Sequence, residues 1–439
     1  MRNLAWWAFC LIITPVAFAQ TTDWGRTITS AQRAYSQGQY HEAEAQFVQA
    51  VKEAESFGPY DSRLAMTMDN LAGLYLREAK YPEAESLFKR ALGIWEKGPD
   101  TATTDRATTL NNLAALYTHQ SRYGDAEPLF RQCLALREKR LGPDHPEVAK
   151  ALNNLGELYW EQGKFAEAEP LYRRAVFINE KTLGPRDPEL ATSLNNLAAL
   201  YIRQGKYAAG ESVFQRALSI RQAALGPEHP EVAESLNNLA ALYSLEGRYA
   251  EAEPLYVRSL AIAEKSLGPN HPAVASGLNN LAELYRSEKK YPEAEPLFRR
   301  ALSIREKALG PDHPDVAQSL DNLAGVLLPK CKQLNVDSLY LRALAIRKKA
   351  YGPDSPQVAV SWGNLGVAYT EEGKFSEAEQ ALSNALTINT RQPKPDAPTL
   401  ATVYANLANL YRREGKHKKA RKMDAKARTL RDQEESPSS

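Results

Sequence analysis

The chain has 439 residues, of which 43% are hydrophobic and 25% charged, a composition typical of a soluble folded protein. Its 55 Lys and Arg residues nearly balance its 53 Asp and Glu residues, which leaves a formal net charge of +2. Because binding to phosphates requires a strong positive excess, this balance argues against nucleic acid as the main partner.

The first residues have the pattern of a secretory signal peptide, which is expected to span residues 1–19. Arg2 supplies a positive start, an apolar run covers residues 4–18, and a small-x-small cleavage site ends at Ala19. Cleavage there would leave Gln20 as the first residue of a periplasmic or extracellular protein. The alternative is a retained membrane anchor, although the apolar run is too short to span a bilayer comfortably.

A block of eight residues recurs every 42 residues and indicates a repeat architecture. It reads Leu-Asn-Asn-Leu-Ala-Ala-Leu-Tyr from Leu110 and Leu-Asn-Asn-Leu-Gly-Glu-Leu-Tyr from Leu152. Further copies start at Leu194, Leu236, Leu278 and Leu320, and weaker copies start at Met68, Trp362 and Tyr404. With an earlier copy at residues 27–40, about ten units fill the chain, so no catalytic domain is expected within it.

Each unit is predicted to form two helices joined by a short turn. In the fourth unit the apolar residues from Val148 to Tyr159 are spaced 4, 3 and 4 residues apart, which produces one apolar stripe on a helix. A turn at residues 162–164 precedes a second helix, which ends before Gly184. One such hairpin cannot bury its own stripe, so the predicted fold is an all-α, right-handed superhelical solenoid whose first helices line an inner groove.

The solenoid is predicted to span residues 20–431 and to be followed by a disordered tail at residues 432–439. The predicted units lie near residues 26–57, 60–97, 102–141, 144–183, 187–225, 229–267, 271–309, 313–351, 355–390 and 396–431. In the eighth unit, residues 328–337 replace the aromatic and Glu-Ala-Glu sequence that begins the other second helices. This replacement predicts a loosened turn or a shortened second helix there.

The repeats resemble those of kinesin light chain, the 42-residue variety of tetratricopeptide repeat. The resemblance rests on Leu-Gly-Pro-Asp-His-Pro-Glu-Val-Ala at 141–149, the block at 152–159, and Gly-Lys-Phe-Ala-Glu-Ala-Glu-Pro-Leu-Tyr-Arg-Arg-Ala at 163–175. It covers roughly residues 60–415 and implies a non-enzymatic protein-binding scaffold without specifying the partner. Kinesin light chains carry a coiled coil where this chain has a signal sequence, so no motor role is implied.

The second asparagine of the repeated block is the main candidate for ligand binding. The nine copies are Asn70, Asn112, Asn154, Asn196, Asn238, Asn280, Asn322, Asn364 and Asn406. At about 100° per residue, Asn154 points away from the apolar stripe and shares a helix face with Lys150 and Glu157. Arg203 occupies the same face in the next unit, so these three charged residues are further candidates. An amide offers both a donor and an acceptor and can therefore hold a peptide backbone.

The resemblance supports this use of the asparagines, because in kinesin light chain-like arrays the matching residues face the cargo peptide. A packing role is the alternative, in which each asparagine bonds to the neighbouring unit. The groove charges have both signs, so the expected ligand is a mixed, mostly polar peptide or protein surface. A structural role in a cell-envelope assembly, with contacts through the convex face and the ends, is the second functional hypothesis.

No metal, cofactor or catalytic site is predicted. Four histidines recur in the linkers between units, at His145, His229, His271 and His313. Successive units are separated by more than a helix-packing distance of roughly 8–10 Å, so these side chains cannot share an ion and are expected to serve helix starts. Cys133 lies at a small-residue core position and is expected to be buried and unreactive.

The last helix is strongly basic. It carries Lys416, Lys418, Lys419, Arg421, Lys422, Lys426, Arg428 and Arg431. Two interpretations remain open: a solubilising end cap of the solenoid, and weak docking to an anionic membrane surface or an acidic partner. The sequence does not predict the oligomeric state.

Overall fold

The computed structural model describes residues 23–98, 103–330, 336–392 and 396–435. These residues form twenty α-helices and no strand, so the predicted all-α repeat fold is confirmed. The predicted signal peptide lies outside the described residues. No described helix is both long and apolar enough to cross a membrane.

The helices belong to two compact bodies, an amino-terminal body that ends at Leu284 and a carboxy-terminal body that begins at Tyr285. The amino-terminal body contains α1 (Asp23–Ser36), α2 (Tyr40–Glu55), α3 (Ser62–Arg77), α4 (Tyr81–Lys97), α5 (Thr103–His119), α6 (Tyr123–Leu141), α7 (Pro146–Glu161), α8 (Phe165–Thr182), α9 (Pro188–Arg203), α10 (Tyr207–Leu225), α11 (Pro230–Leu245), α12 (Tyr249–Leu267) and most of α13 (Pro272–Ser287). The carboxy-terminal body contains α14 (Tyr291–Leu309), α15 (Pro314–Leu327), α16 (Asp337–Tyr351), α17 (Pro356–Glu372), α18 (Phe375–Thr390), α19 (Ala397–Arg413) and α20 (His417–Glu435). Within each body, odd-numbered first helices pair with the even-numbered second helices that follow them.

The first helices begin with a cap that the linker sequence supplies. The histidine before Pro146 accepts a hydrogen bond through Nδ1 from the backbone N–H of Glu147, at 3.2 Å. His229, His271 and His313 cap α11, α13 and α15 in the same way. Proline at the first helical position suits this geometry, because its missing N–H would have no partner there. The predicted role of the linker histidines at helix starts is therefore confirmed.

The core of each hairpin is formed by small and branched residues at the predicted stripe positions. In the fourth unit Val148 and Leu152 of α7 pack against Ala175 and Ile178 of α8, and all four side chains are buried. Cys133 is fully buried in the preceding cluster, and burial raises the pKa of its thiol to about 11. The prediction of a buried cysteine is confirmed, and the raised pKa makes the reactive thiolate scarce at neutral pH.

Glycine ends many of the second helices and also forms turns within the hairpins. Gly142 follows α6 with φ 90°, and Gly163 joins α7 to α8 with φ 72°. Both values lie in the left-handed region, where a residue without Cβ avoids steric strain. These positions therefore fix where the chain reverses between successive helices.

The eighth unit has the shortened second helix that its sequence predicts. Its first helix ends at Leu327 and is followed by a 3₁₀ turn over Leu328–Lys330. The second helix, α16, has 15 residues, whereas α14 of the preceding unit has 19. At the end of the chain, α20 continues to Glu435, so part of the predicted tail is helical.

The amino-terminal body closes on itself. The turn between α1 and α2 contacts the linker before α13: a Cβ atom at Gly38 would lie 3.0 Å from both His271 Cδ2 and Pro272 Cδ. The charge of Arg77, at the end of α3, also acts on the His271 imidazole. The first two units and the start of the seventh are therefore neighbours in space.

Candidate functional site

The candidate site lies on the inner face, which we define as the face of the first helices that carries the nine repeated asparagines. In the amino-terminal body α3, α5, α7, α9 and α11 contact one another in succession. This close approach turns separate helix faces into one continuous surface. In the carboxy-terminal body, α17 and α19 make the corresponding contact.

The asparagines of the inner face differ in burial between the two bodies. In the amino-terminal body, Asn70 and Asn112 are 1% exposed, and Asn154, Asn196, Asn238 and Asn280 are at most 8% exposed. In the carboxy-terminal body, Asn322, Asn364 and Asn406 are half-buried. The nine residues predicted as equivalent therefore have different environments.

Several asparagines bond to the preceding unit, always to the residue 43 positions earlier. These bonds join Asn112 Nδ2 to Asp69 Oδ2 at 2.9 Å, Asn154 Nδ2 to Asn111 Oδ1 at 2.6 Å, and Asn280 Nδ2 to Asn237 Oδ1 at 2.8 Å. In the carboxy-terminal body, Asn364 donates to Asp321 in the same register. The packing alternative of the sequence analysis thus describes these four side chains.

Three asparagines make no side-chain hydrogen bond to a residue that the structure describes: Asn196, Asn238 and Asn406. Near the first, Asn153 donates to Ser193 Oγ at 2.9 Å and does not join Asn196. Near the last, Gly363 occupies the position of the acceptor and offers no side chain. Asn238 and Asn406 keep their hydrogen-bonding capacity for another molecule, whereas Asn196 can offer its Nδ2 group because its Oδ1 atom is buried.

Glu157 is a buried carboxyl group without a cationic partner. It is 8% exposed, and it forms neither a hydrogen bond nor an ion pair with any residue in the described ranges. Burial raises the pKa of Glu157 well above its ordinary value, and the negative charge of Glu161 raises it further. The neighbouring inner-face positions on α5 and α9 are Ala115 and Ala199, which supply no charge.

The two predicted basic groove residues are already engaged. Lys150 Nζ lies 2.9 Å from Glu147 Oε1. The guanidinium of Arg203 lies 5.6 Å from the ring centroids of Trp160 and Phe165, a cation–π arrangement with two aromatic rings. Neither cation neutralises Glu157.

One group of side chains has the spacing of metal ligands but holds a lysine. His41, Glu44 and Glu78 each place one ligand atom within 4.8 Å of the others. Lys80 Nζ lies 2.7 Å from Glu44 and 2.9 Å from Glu78, where it supplies the positive charge that the carboxylates need. The arrangement is therefore explained by an ion pair between the first two units.

The basic last helix is partly neutralised within the chain. Lys419 lies 3.5 Å from Glu379, and Lys416 pairs with Glu414. Asp424 of the helix pairs with Arg412 of α19 at 2.9 Å and so neutralises none of the helix's own basic residues. Ala420 and Ala427 are its buried residues, so the helix covers the end of the core. Its other face carries exposed lysines and arginines, and docking to an anionic surface stays a prediction.

A scan against family profiles matches the tetratricopeptide repeat along most of the chain. The matched residues are 31–97, 105–181, 189–265, 239–307, 274–328, 337–388 and 362–433. A search of curated proteins finds no match.

Solved structures with a similar fold include a Rap protein and an aspartyl phosphate phosphatase. The Rap protein complexed with competence and sporulation factor has a TM-score of 0.54 and 15% identity, over 85% of this chain and 99% of that chain. Aspartyl phosphate phosphatase F from Bacillus subtilis has a TM-score of 0.51 and 14% identity, over 82% and 92% of the two chains. Repeats of a candidate kinesin light chain from Podosopora anserina are 27% identical over 47% and 97%, with a TM-score of 0.39. At 14% and 15% identity, the first two likenesses show the fold alone.

Proposed function

Because the chain belongs to the tetratricopeptide repeat family, we propose that it is a non-enzymatic scaffold that binds an extended peptide segment along the inner face of its first helices. The observation that carries this proposal is the presence of unpartnered amides at Asn196 and Asn238, on the adjacent helices α9 and α11. Each amide could donate through Nδ2 to a peptide C=O, and Asn238 could also accept from a peptide N–H, without reading the side chains of the peptide.

The bonded asparagines support the proposal by contrast. Asn112 and Asn154 use their Nδ2 groups within the protein, so their repetition is explained by packing. Asn196 and Asn238 are copies that packing does not use. One structural neighbour, the Rap protein, is complexed with competence and sporulation factor, and this complex illustrates that such a helical array can hold a bound factor.

The proposal is tested with peptides selected for binding from a random twelve-residue display library. Their affinities are measured by fluorescence polarisation for the wild-type protein and for two double variants. Replacing Asn196 and Asn238 with Ala should weaken binding about tenfold or more, since a few lost hydrogen bonds of about 0.5–1.5 kcal/mol each add to at least 1.4 kcal/mol. Its melting temperature should change little, because neither amide bonds within the protein.

The matched control is the Asn112→Ala/Asn154→Ala variant. It removes two bonds between units, so it should lower the melting temperature while the folded protein keeps its peptide affinity. Equal affinity of the wild type and the Asn196/Asn238 variant would move the binding site away from the inner face. A library from which no peptide is selected would also count against the proposal.

Under the second functional hypothesis, contact with envelope components through the face of the second helices, exposed apolar side chains on those helices would serve as contacts. Phe177 on α8 is 58% exposed and Val257 on α12 is 47% exposed. They lie two units apart, so they would contribute separate contacts to such a surface. Under this hypothesis, substitution of Phe177 would weaken partner binding and the two asparagine variants would not.

A further inference from the structure

We infer that the inner face at α7 selects a peptide with a basic side chain, arginine or lysine, which forms an ion pair with Glu157. This inference rests on the proposed function and specifies the class of ligand for the same surface. It also assigns a sign to the ligand charge, which the mixed charges in the sequence leave undetermined.

Glu157 is buried but has no partner that compensates its charge. A carboxylate removed from water is costly unless a cation or hydrogen-bond donors replace the lost solvation. At 8% exposure, Glu157 has lost most of its contact with water, yet no described residue bonds to it. Its environment is therefore incomplete within this chain.

Each of the other buried aspartate and arginine side chains has a partner. Those partners are Asn112 for Asp69, Glu147 for Arg137, Glu231 for Arg221 and the backbone carbonyl of Asp315 for Arg305. Glu157 is thus the exception among the buried charged groups of the described residues. The chain supplies a charged or polar partner to each of the others, and it supplies none to Glu157.

The charged side chains around Glu157 do not neutralise it. Lys150 is paired with Glu147, and Arg203 faces two aromatic rings, so the two basic side chains predicted for this face are engaged elsewhere. Glu161, one turn further along α7, adds negative charge, and the buried Tyr172 of α8 feels both carboxylates. A cation bound beside Glu157 would favour its ionised form, which burial and the charge of Glu161 disfavour in the protein alone.

Glu157 lies on the same line of first helices as the free amides. Its neighbours in register, Ala115 and Ala199, are small and uncharged, so neither competes with a ligand for the carboxyl group. The free amides of Asn196 and Asn238 continue along α9 and α11, which follow α7 in the line of contacting helices. A peptide held by these amides would therefore pass beside Glu157.

The experiment uses acetylated and amidated nonapeptide mixtures in which one position at a time is fixed as Arg, Lys, Gln or Glu. Each mixture competes with a labelled peptide selected from the display library. The wild-type protein should prefer Arg or Lys over Gln at least tenfold at one position, and it should disfavour Glu there. In the Glu157→Gln variant that preference should disappear, while affinity for the Gln mixture is retained.

Two further arms make the result specific. Glu283→Gln is the matched control, because Glu283 has the same register on α13 but is half-buried and engaged with other residues. It should keep the basic preference. Acidification should reduce the preference of the wild type, because the protonated Glu157 loses its charge, and should leave Glu157→Gln unchanged.

The outcomes separate this inference from the proposed function. Binding that depends on Asn196 and Asn238 but shows no basic preference would overturn the inference and leave the function standing. A basic preference that survives Glu157→Gln would also overturn it. Binding that depends on none of these residues would overturn the proposed function itself.

Discussion

In the amino-terminal body the inner-face asparagines are almost completely buried, whereas in the carboxy-terminal body the same register is half-buried. The difference follows from the residues beside them. In α17 and α19 the repeated Leu-Asn becomes Trp362-Gly363 and Tyr404-Ala405. The large rings occupy stripe positions, and Gly363 leaves Asn406 without the side chain that would accept its hydrogen bond.

In each body, an aspartate replaces the first asparagine of the block in one unit. Asp69 in α3 and Asp321 in α15 have the same register, and each meets an asparagine from the next unit. Burial raises the pKa of Asp69 to about 7, against hydrogen bonds from Asn112 and Thr109 that lower it. Asp321 has in addition the guanidinium of Arg347, whose Nη1 lies 2.6 Å from its Oδ2.

The largest expected effect is the change of protein stability with pH that the protonation of Asp69 causes. Its pKa in the folded state, about 7, exceeds its ordinary value of 3.8, so the unfolded chain loses this proton first as the pH rises. Stability should therefore fall between about pH 4 and pH 7, by up to about 4 kcal/mol for a shift of about three pH units. Asp69→Asn should remove this dependence and stabilise the protein at pH 8, because Asn111 has the same role in the next unit.

The measurement is hydrogen exchange of α3 and α5 at pH 5 and pH 8, corrected for intrinsic rates, because a repeat array can open locally. Asp321→Asn is the control in the carboxy-terminal body. This substitution removes the carboxylate that pairs with Arg347, so it should destabilise α15 and α17 by about 1.5–3 kcal/mol. A stabilising effect of both substitutions would show that Arg347 does not distinguish the two sites.

A single substitution would give the carboxy-terminal body a hydrogen bond that the amino-terminal body already has. Gly363→Asn would give Asn406 the acceptor that its equivalents Asn154 and Asn280 have, and a Cβ atom at Gly363 meets no atom within 4 Å. The new bond should stabilise α19 by about 0.5–1.5 kcal/mol. Gly363→Ala is needed as a control, because replacing glycine in a helix alone contributes roughly 1 kcal/mol.

Urea unfolding of the two variants measures the difference between them. A greater stability of Gly363→Asn than of Gly363→Ala would show that the missing acceptor, and not the glycine, leaves Asn406 unbonded. Equal stabilities would assign the exposure of Asn406 to the neighbouring rings of Trp362 and Tyr404.

The helical hairpins and their stacking could be predicted from the sequence because they depend on a period that repeats in every unit. The cap at His145, the buried Cys133 and the shortened α16 follow from local sequence for the same reason. The division of the asparagines could not be predicted. Whether Asn196 bonds depends on Asn153, which turns to Ser193 in the next unit, and such a choice between two nearby partners has no signature in a single sequence.

The burial of Glu157 also escaped prediction, for a different physical reason. Helix periodicity places Glu157 on the inner face, but it does not reveal how closely α5, α7 and α9 approach one another. That approach depends on small side chains such as Ala115 and Ala199 in other units. A surface position in one hairpin therefore becomes a buried position in the array.

The smallest expected effect concerns the cap of α13 and again distinguishes the two bodies. His271 accepts from Ala273 N at 3.1 Å, which requires an unprotonated Nδ1, whereas at the same register Ser355 caps α17 with a hydroxyl. Burial, together with the charge of Arg77, lowers the pKa of His271 below its ordinary value of 6.5. The unfolded chain therefore binds the proton first, and stability should be lost as the pH falls below about 6.5.

The expected loss is about 1 kcal/mol, the typical contribution of a helix cap. His271→Ser should remove the acid dependence of hydrogen exchange at the start of α13, although it also removes the contact of the imidazole with Gly38. The slope with pH is therefore the informative quantity, and the absolute stability is not. If the slope persists in His271→Ser, the acid sensitivity belongs to another group, and the contact between the first turn and the α13 linker is independent of protonation.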